Sequence, residues 1–217
     1  MREWQVGDPV GDGNDIGVPD TKYMGYLRNN DENTISNNSS PKDIKRSKQY
    51  QEEALKLNEE NNFYDALSFI NAAIRYNPDD SSNWNVKGII LFNIYRINDS
   101  DVFSEAYDAY NKALEIEPED KIIKSNKAQL IIHWGIRLLS QNHYDKAMIK
   151  VKEAVSIIDD KTSADYADAL TLKATIYMHM GNYDKSMEYY NKAFNINPAD
   201  ENIQKLKQIL IKRIEMD

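Results

Sequence analysis

Residues 170–198 read Leu170-x2-Lys173-Ala174-x2-Tyr177, then Tyr183-Asp184-Lys185-Ser186-x3-Tyr190-x2-Ala193, and close on Pro198. Small and apolar residues return every three or four positions, the period of a helix face. Gly181-Asn182 breaks that period where a tight turn must join two helices. Asn197-Pro198 ends it, because a residue before proline is pushed out of the α region. The stretch is therefore a helix–turn–helix hairpin. No alternating strand pattern competes anywhere in the chain, so the fold class is all-α.

The same hairpin occurs three more times. One copy runs Ile131-x2-Trp134-Gly135-x2-Leu138, then Tyr144-Asp145-Lys146-Ala147-x3-Val151-x2-Ala154. Another has Trp84, Gly88 and Leu91, then Phe103, Ala106, Tyr110, Ala113 and Pro118. The first has Tyr50, Ala54 and Leu57, then Phe63, Ala66, Ile70, Ala73 and Pro78. Two small residues mark each copy: Ala54 and Ala66, Gly88 and Ala106, Gly135 and Ala147, Ala174 and Ser186. They stand twelve apart in copies one, three and four and eighteen apart in copy two, which implies a longer loop near Asn98-Asp99-Ser100-Asp101. From the second small residue to the terminal slot the offset is twelve in all four, with Asp159 replacing Pro in copy three. Copy three also has added residues on both sides, so its first helix is expected to begin early, near Asp120, and an insert at 162–166 precedes copy four. Small side chains let paired helices approach, while Trp84, Trp134, Tyr110 and Tyr190 fill the space between pairs.

Helices are predicted near 43–60, 63–76, 81–98, 102–116, 120–141, 143–158, 163–180, 183–196 and 199–216. Ser81 or Ser82, Ser100, and Thr162 or Ser163 offer N-cap oxygens.

Over about residues 47–200, these copies resemble the tetratricopeptide repeat (TPR), a helix–turn–helix unit of roughly 34 residues. The copies fall at about 47–80, 81–120, 128–161 and 167–200, within a repeat domain spanning 43–200. The resemblance implies a right-handed α-solenoid of four helix pairs, whose first helices line a concave surface. Carried onto this chain, copy one presents Lys48, Gln51, Leu55 and Asn58, and copy two Ser82, Asn85, Ile89, Phe92 and Asn93. Copy three presents Gln129, Ile132, Ile136 and Leu139, and copy four Asp168, Thr171, Thr175, Met178 and His179. TPR proteins that hold acidic C-terminal peptides use Lys, Arg and Asn in this groove. Only Lys48 and Asn85 suit that task, so the resemblance implies an apolar centre with amide and hydroxyl edges instead. Such a surface fits a peptide with apolar anchors. The alternative is that Ile132, Ile136 and Leu139 simply pack on the neighbouring pair.

Residues 1–42 form an arm of different character, rich in Gly, Asp, Asn and Pro. The polar run from Asn29 to Ser40 reads as a linker. Trp4, Tyr23 and Tyr26 stand out from that background as a short interaction motif. The arm could dock in its own groove or in that of a second copy, or serve as ligand for another protein. Residues 201–217 place Ile203, Leu206, Leu210 and Ile214 on one stripe, as a solenoid's capping helix requires. Ile209 and Ile211 fall off that stripe and leave a homodimer interface open.

Composition excludes several classes of chemistry. The chain has no Cys, so disulfides, thiolate metal sites and cysteine nucleophiles are ruled out. Net charge is −8, with basic residues interspersed among acidic ones, which argues against nucleic-acid binding. No apolar run approaches a membrane span and the start lacks a signal-peptide pattern, so a cytoplasmic location is expected. Asp8-x3-Asp12-Gly13-Asn14-Asp15 fails as an EF-hand, with Val10 where an acid belongs and Pro19 in the place of the bidentate Glu. A single calcium β-roll nonapeptide, for which Gly11–Ile16 is the only match, cannot stack. His133, His143 and His179 lack zinc-ligand spacing, and phosphate-loop, dinucleotide and serine-hydrolase fingerprints are absent. No cofactor, no metal and no enzymatic activity are expected. The functional expectation is a protein-binding adaptor or assembly scaffold of unidentified partner, or alternatively an accessory subunit whose partner carries the catalysis.

Overall fold

The computed structural model describes residues 39–98 and 102–216. Trp4, Tyr23, Tyr26 and Ser100 lie outside them. The described residues form helices joined by turns, with no strand among them. The helices are α1 (Pro41–Glu59), α2 (Phe63–Tyr76), α3 (Ser81–Asn98), α4 (Phe103–Ile116), α5 (Lys121–Ser140), α6 (Tyr144–Ile157), α7 (Ala164–His179), α8 (Tyr183–Ile196) and α9 (Glu201–Met216). The chain divides into two units, Met1–Pro118 and Glu119–Asp217.

Capping residues set the helix starts. Ser40 accepts the Asp43 backbone N–H ahead of Pro41, which needs no hydrogen bond at the first helical position. The Asp120 carboxylate accepts from the N–H groups of Ile122 (2.7 Å) and Ile123 (2.9 Å) and starts α5. Ser163 caps α7 through the Tyr166 N–H. Ser81 and Ser82 are not caps: both lie inside α3, and Asp80 takes the Ser82 N–H at 3.0 Å. The carboxylate sits one residue earlier in the turn after Pro78, within reach of the first free N–H groups.

The turns inside the helix pairs share one backbone device. Asn61 (φ 61°), Asn142 (φ 60°) and Gly181 (φ 74°) are left-handed. Each lies five residues before the second small residue of its copy. Asn tolerates this conformation at some cost, and Gly at none. Asn61→Gly and Asn142→Gly are each expected to raise stability by about 0.5 kcal/mol, read as a higher denaturant midpoint at unchanged slope.

In the first unit α1 packs on α2, α2 on α3, α3 on α4, and α1 also meets α3. Ala54, Ala66 and Ala106 are fully buried at the close approaches. Gly88 is the tightest: a Cβ there would stand 2.6 Å from Cε1 of Tyr110, a ring buried to 1% exposure. Polar side chains stitch α1 to α3. Buried Asn83 donates to Ser47 Oγ (2.9 Å) and to the Asn77 carbonyl (3.2 Å), and Ser47 donates to the Ala73 carbonyl (2.9 Å).

In the second unit α5 packs on α6, α6 on α7 and α7 on α8. Helix α9 covers α8 and reaches α7, and α5 also meets α7. The first helices α5 and α7, followed by α9, therefore stand side by side. Gly135 and Ala147 bring α5 and α6 together, and Ser186 donates to the Ala174 carbonyl at 2.8 Å across the last pair. The residues added after α6 are used structurally. Ile158 is buried, and the Lys161 ammonium donates to the carbonyls of Val155 and Ile158, closing the C-terminus of α6. Helix α9 is anchored by Ile203 and Leu210, whereas Ile209, Ile211 and Ile214 are 40–46% exposed.

Candidate functional site

The first-helix face of the second unit encloses a cavity of about 360 Å³. Its lining comes from α5 (Gln129, Ile132, His133, Ile136, Leu139), α7 (Asp168, Thr171, Leu172, Thr175) and α9 (Asn202, Leu206). Helical spacing brings these together. Ile132, Ile136 and Leu139 are four and three apart on α5, and Asp168, Thr171 and Thr175 are three and four apart on α7. Ile136 is 46% exposed while Ile132 is buried, so the apolar wall runs from surface to core.

The polar groups on this face differ in how far they are occupied by the protein itself. The Thr171 hydroxyl donates to the Ala167 carbonyl and the Thr175 hydroxyl to the Thr171 carbonyl, both at 2.8 Å. Thr175 also stands 2.9 Å from the Tyr190 hydroxyl. With these hydroxyls engaged, the cavity is more apolar than its residue types suggest. Gln129 donates to Asp165 (2.6 Å) and Asp168 (3.3 Å), and Ser125 donates to Asp165. Burial pushes the Asp168 carboxyl above its ordinary value; the Gln129 hydrogen bond opposes the shift, and the charges of Asp200 and Asp165 add to it.

That shift has a defined consequence for stability. The folded state holds the Asp168 proton to a higher pH than the unfolded chain does. The stabilising contribution is present below the unfolded carboxylate value and is lost as pH rises through the folded one. Asp168→Asn is therefore expected to melt slightly higher than the parent at pH 7, with the difference vanishing near pH 3, as followed by thermal unfolding across that range.

Met178 and His179 do not line the cavity. Met178 is buried with Ala174, Tyr190 and Leu210 beneath α9. The His179 ring lies 6.0 Å from that of Tyr144 on α6. Burial, and then the charge of Arg213, hold its pKa below the usual histidine value.

In the first unit the corresponding amides serve internal contacts. Gln51 donates to Ser82 Oγ (2.7 Å) and Asn83 Oδ1 (3.0 Å), and Asn93 donates to Asn58 Oδ1 (2.9 Å). These bonds join α1 to α3. Leu55 is 38% exposed, and Asn85, Ile89 and Phe92 are half-buried. Phe92 stacks on Tyr95 at 6.3 Å, and Lys48 is exposed.

The groove drawn from the sequence lacks His133 and Leu172 of α5 and α7, and it lacks Asn202 and Leu206 because α9 reads there as a cap or a dimer interface. Its apolar stripe was the available signal: Leu206 belongs to the stripe and borders the cavity. Among the described residues no cluster of His, Asp or Glu is arranged to hold a metal ion, and no helix is long and apolar enough to cross a membrane.

Comparisons with known proteins agree with this architecture. Residues 167–200 match the tetratricopeptide repeat family model. The DnaJ homolog subfamily C member 7 homolog of Dictyostelium discoideum is 26% identical over 157 residues, covering 70% of this chain and 28% of that protein. Mitochondrial import receptor subunit TOM70 of Rattus norvegicus is 25% identical over 104 residues, covering 48% of this chain and 15% of the receptor. The chain thus spans less than a third of the length of these relatives. Among solved structures, MamA 41-end from Desulfovibrio magneticus RS-1 superposes with a TM-score of 0.57 at 18% identity, covering 78% of this chain and 86% of that one. PilF of Pseudomonas aeruginosa gives 0.54 at 15% identity, covering 80% and 71%. Residues 167–200 thus carry a tetratricopeptide repeat, and the described helices share the all-α fold of these solved structures.

Proposed function

We propose that the chain is a non-catalytic binding module, an adaptor or assembly scaffold that holds a segment of a partner protein against the first-helix face of its second unit. The observation that carries this is the cavity between α5, α7 and α9, with exposed Ile136 at its rim. Its volume suits a few side chains of a peptide, and ligand sites are concave, mostly apolar and edged by few polar groups. Within the groove drawn from the sequence, Gln129, Ile132, Ile136, Thr171 and Thr175 are the residues assigned to contact. Lys48, Gln51, Leu55, Asn85, Ile89, Phe92 and Asn93 form a separate first-unit surface, whose amides are largely committed to its own helices. Two names among the relatives, a DnaJ homolog and an import receptor, belong to proteins of which the segment similar to this chain is 28% and 15%.

Site-directed photo-cross-linking tests the reading. A photoreactive phenylalanine analogue replaces Ile136, and in a control it replaces Ile149, which is 62% exposed on α6. In the protein's own cells, a discrete cross-linked partner is expected from position 136 and not from position 149. Equal labelling, or none at 136, contradicts the assignment.

A further inference from the structure

Resting on that reading of the groove, we propose that the bound segment is basic and apolar: a Lys or Arg that meets Asp168, next to apolar side chains that cover Ile132, Ile136 and Leu206. The cavity's lining contains one carboxylate and no Lys or Arg. Two more carboxylates stand close to it, Asp165 through the shared Gln129 amide and Asp200 through its charge. Asp165 and Asp200 lie at the N-terminal ends of α7 and α9 and Asp168 one turn further along α7, so carboxylates gather toward this end of the α7–α9 face. The opposite end differs: Arg213, near the C-terminus of α9, acts on His179 at the end of α7.

The acidity is local. Across residues 119–217 Lys and Arg nearly balance Asp and Glu. Lys121 and Lys124 of α5 border a neighbouring hollow with Asp165, and the Lys124 ammonium there is paired with Glu119 (2.9 Å) and Asp159 (3.0 Å). Other cations of this unit sit over rings, Lys150 over Trp134 (3.9 Å), Lys173 over Tyr189 (4.3 Å) and Lys207 over Phe194 (5.3 Å). Helix N-termini favour carboxylates, which accounts for Asp165 and for Asp200, whose side chain accepts the N–H groups of Asn202 (2.8 Å) and Ile203 (3.3 Å). Asp168 lies beyond the first turn of α7, half-buried, with its one described hydrogen bond a long one of 3.3 Å from Gln129. An ionised carboxylate accepts several hydrogen bonds, so it keeps capacity for a charged donor. A Lys or Arg docked there would relieve the repulsion from Asp165 and Asp200 and gain a partly desolvated charge pair. Complementary charge of this kind also discriminates among partners by rejecting acidic ones.

The test is selection of peptides from a displayed library of random dodecamers against the full chain, with Ile136→Asp as counter-selection. Peptides that depend on Ile136 are expected to carry Lys or Arg beside apolar residues. Their affinity should fall about tenfold in Asp168→Asn and fall with added salt, while the variant's melting temperature is not lowered. Enrichment of acidic or uncharged apolar peptides that still depend on Ile136 overturns the charge assignment and leaves the groove reading standing. So does a basic peptide indifferent to Asp168→Asn. If no selected peptide depends on Ile136, both fall.

Discussion

Gly88→Ala is expected to destabilise the first unit by about 1–2 kcal/mol, although alanine is the better helix former by about 1 kcal/mol. The new methyl would stand 2.6–2.9 Å from three ring atoms of Tyr110, and that ring is buried to 1% exposure. The steric cost outweighs the gain in propensity because an aromatic ring moves as a rigid plate. Gly135→Ala is the internal contrast. Its Cβ meets Cδ2 of Leu172 at 2.8 Å, the far end of a flexible side chain, with the next atoms at 3.7 Å or more. A small rotation of Leu172 relieves that contact, so the expected net change is near zero. Combining Gly88→Ala with Tyr110→Leu should recover part of the loss, and a double-mutant cycle should return a coupling of about 1 kcal/mol or more. Additive effects would show that the glycine does not act through the ring.

Leu210→Ala is expected to cost about 2–5 kcal/mol and to release α9 from the second unit. Leu210 is fully buried among Ala174, Met178 and Tyr190, and with Ile203 it is one of the two buried residues of that helix. Losing Leu210 leaves the helix held by Ile203 at one end and half-buried Leu206, with a mostly exposed remainder, too little to offset the entropy of ordering a terminal helix. Backbone hydrogen exchange should show protection falling across 201–216 while α1 to α4 are unchanged. Because Asn202 and Leu206 border the cavity, the same variant should also weaken ligand binding. On the proposed function, stability and binding are linked through this one helix, which covers α8 and borders the cavity.

Much of this fold is legible in the residue pattern, for reasons that can be named. The small residues at fixed offsets report helix approach directly, since no larger side chain fits beside Tyr110 at Gly88. Asn77-Pro78 and Asn197-Pro198 mark helix ends because proline constrains the residue before it. Caps are less legible. Ser82 and Asp80 are equally good candidates by type, and the geometry of the preceding turn decides for Asp80. The site is read less completely than the fold. Periodicity places Ile132, Ile136, Thr171 and Thr175 on first helices, but it does not show that the threonine hydroxyls bond back to their own helix. Nor does it show that Met178 turns under α9. The polarity of the face was hidden for another reason. Asp165, Asp168 and Asp200 are spread over 36 positions of sequence, and only the stacking of α7 beside α9 gathers them.

The most direct test of a ligand-holding face in the second unit is isoleucine-methyl NMR of the full chain, titrated with the segment recovered from the cross-link at position 136. The account predicts that Ile132 and Ile136 shift together and saturably, while Ile149 on α6 and Ile70 in the first unit stay in place. Shifts at Ile149 or Ile70 with Ile132 and Ile136 unmoved would contradict it.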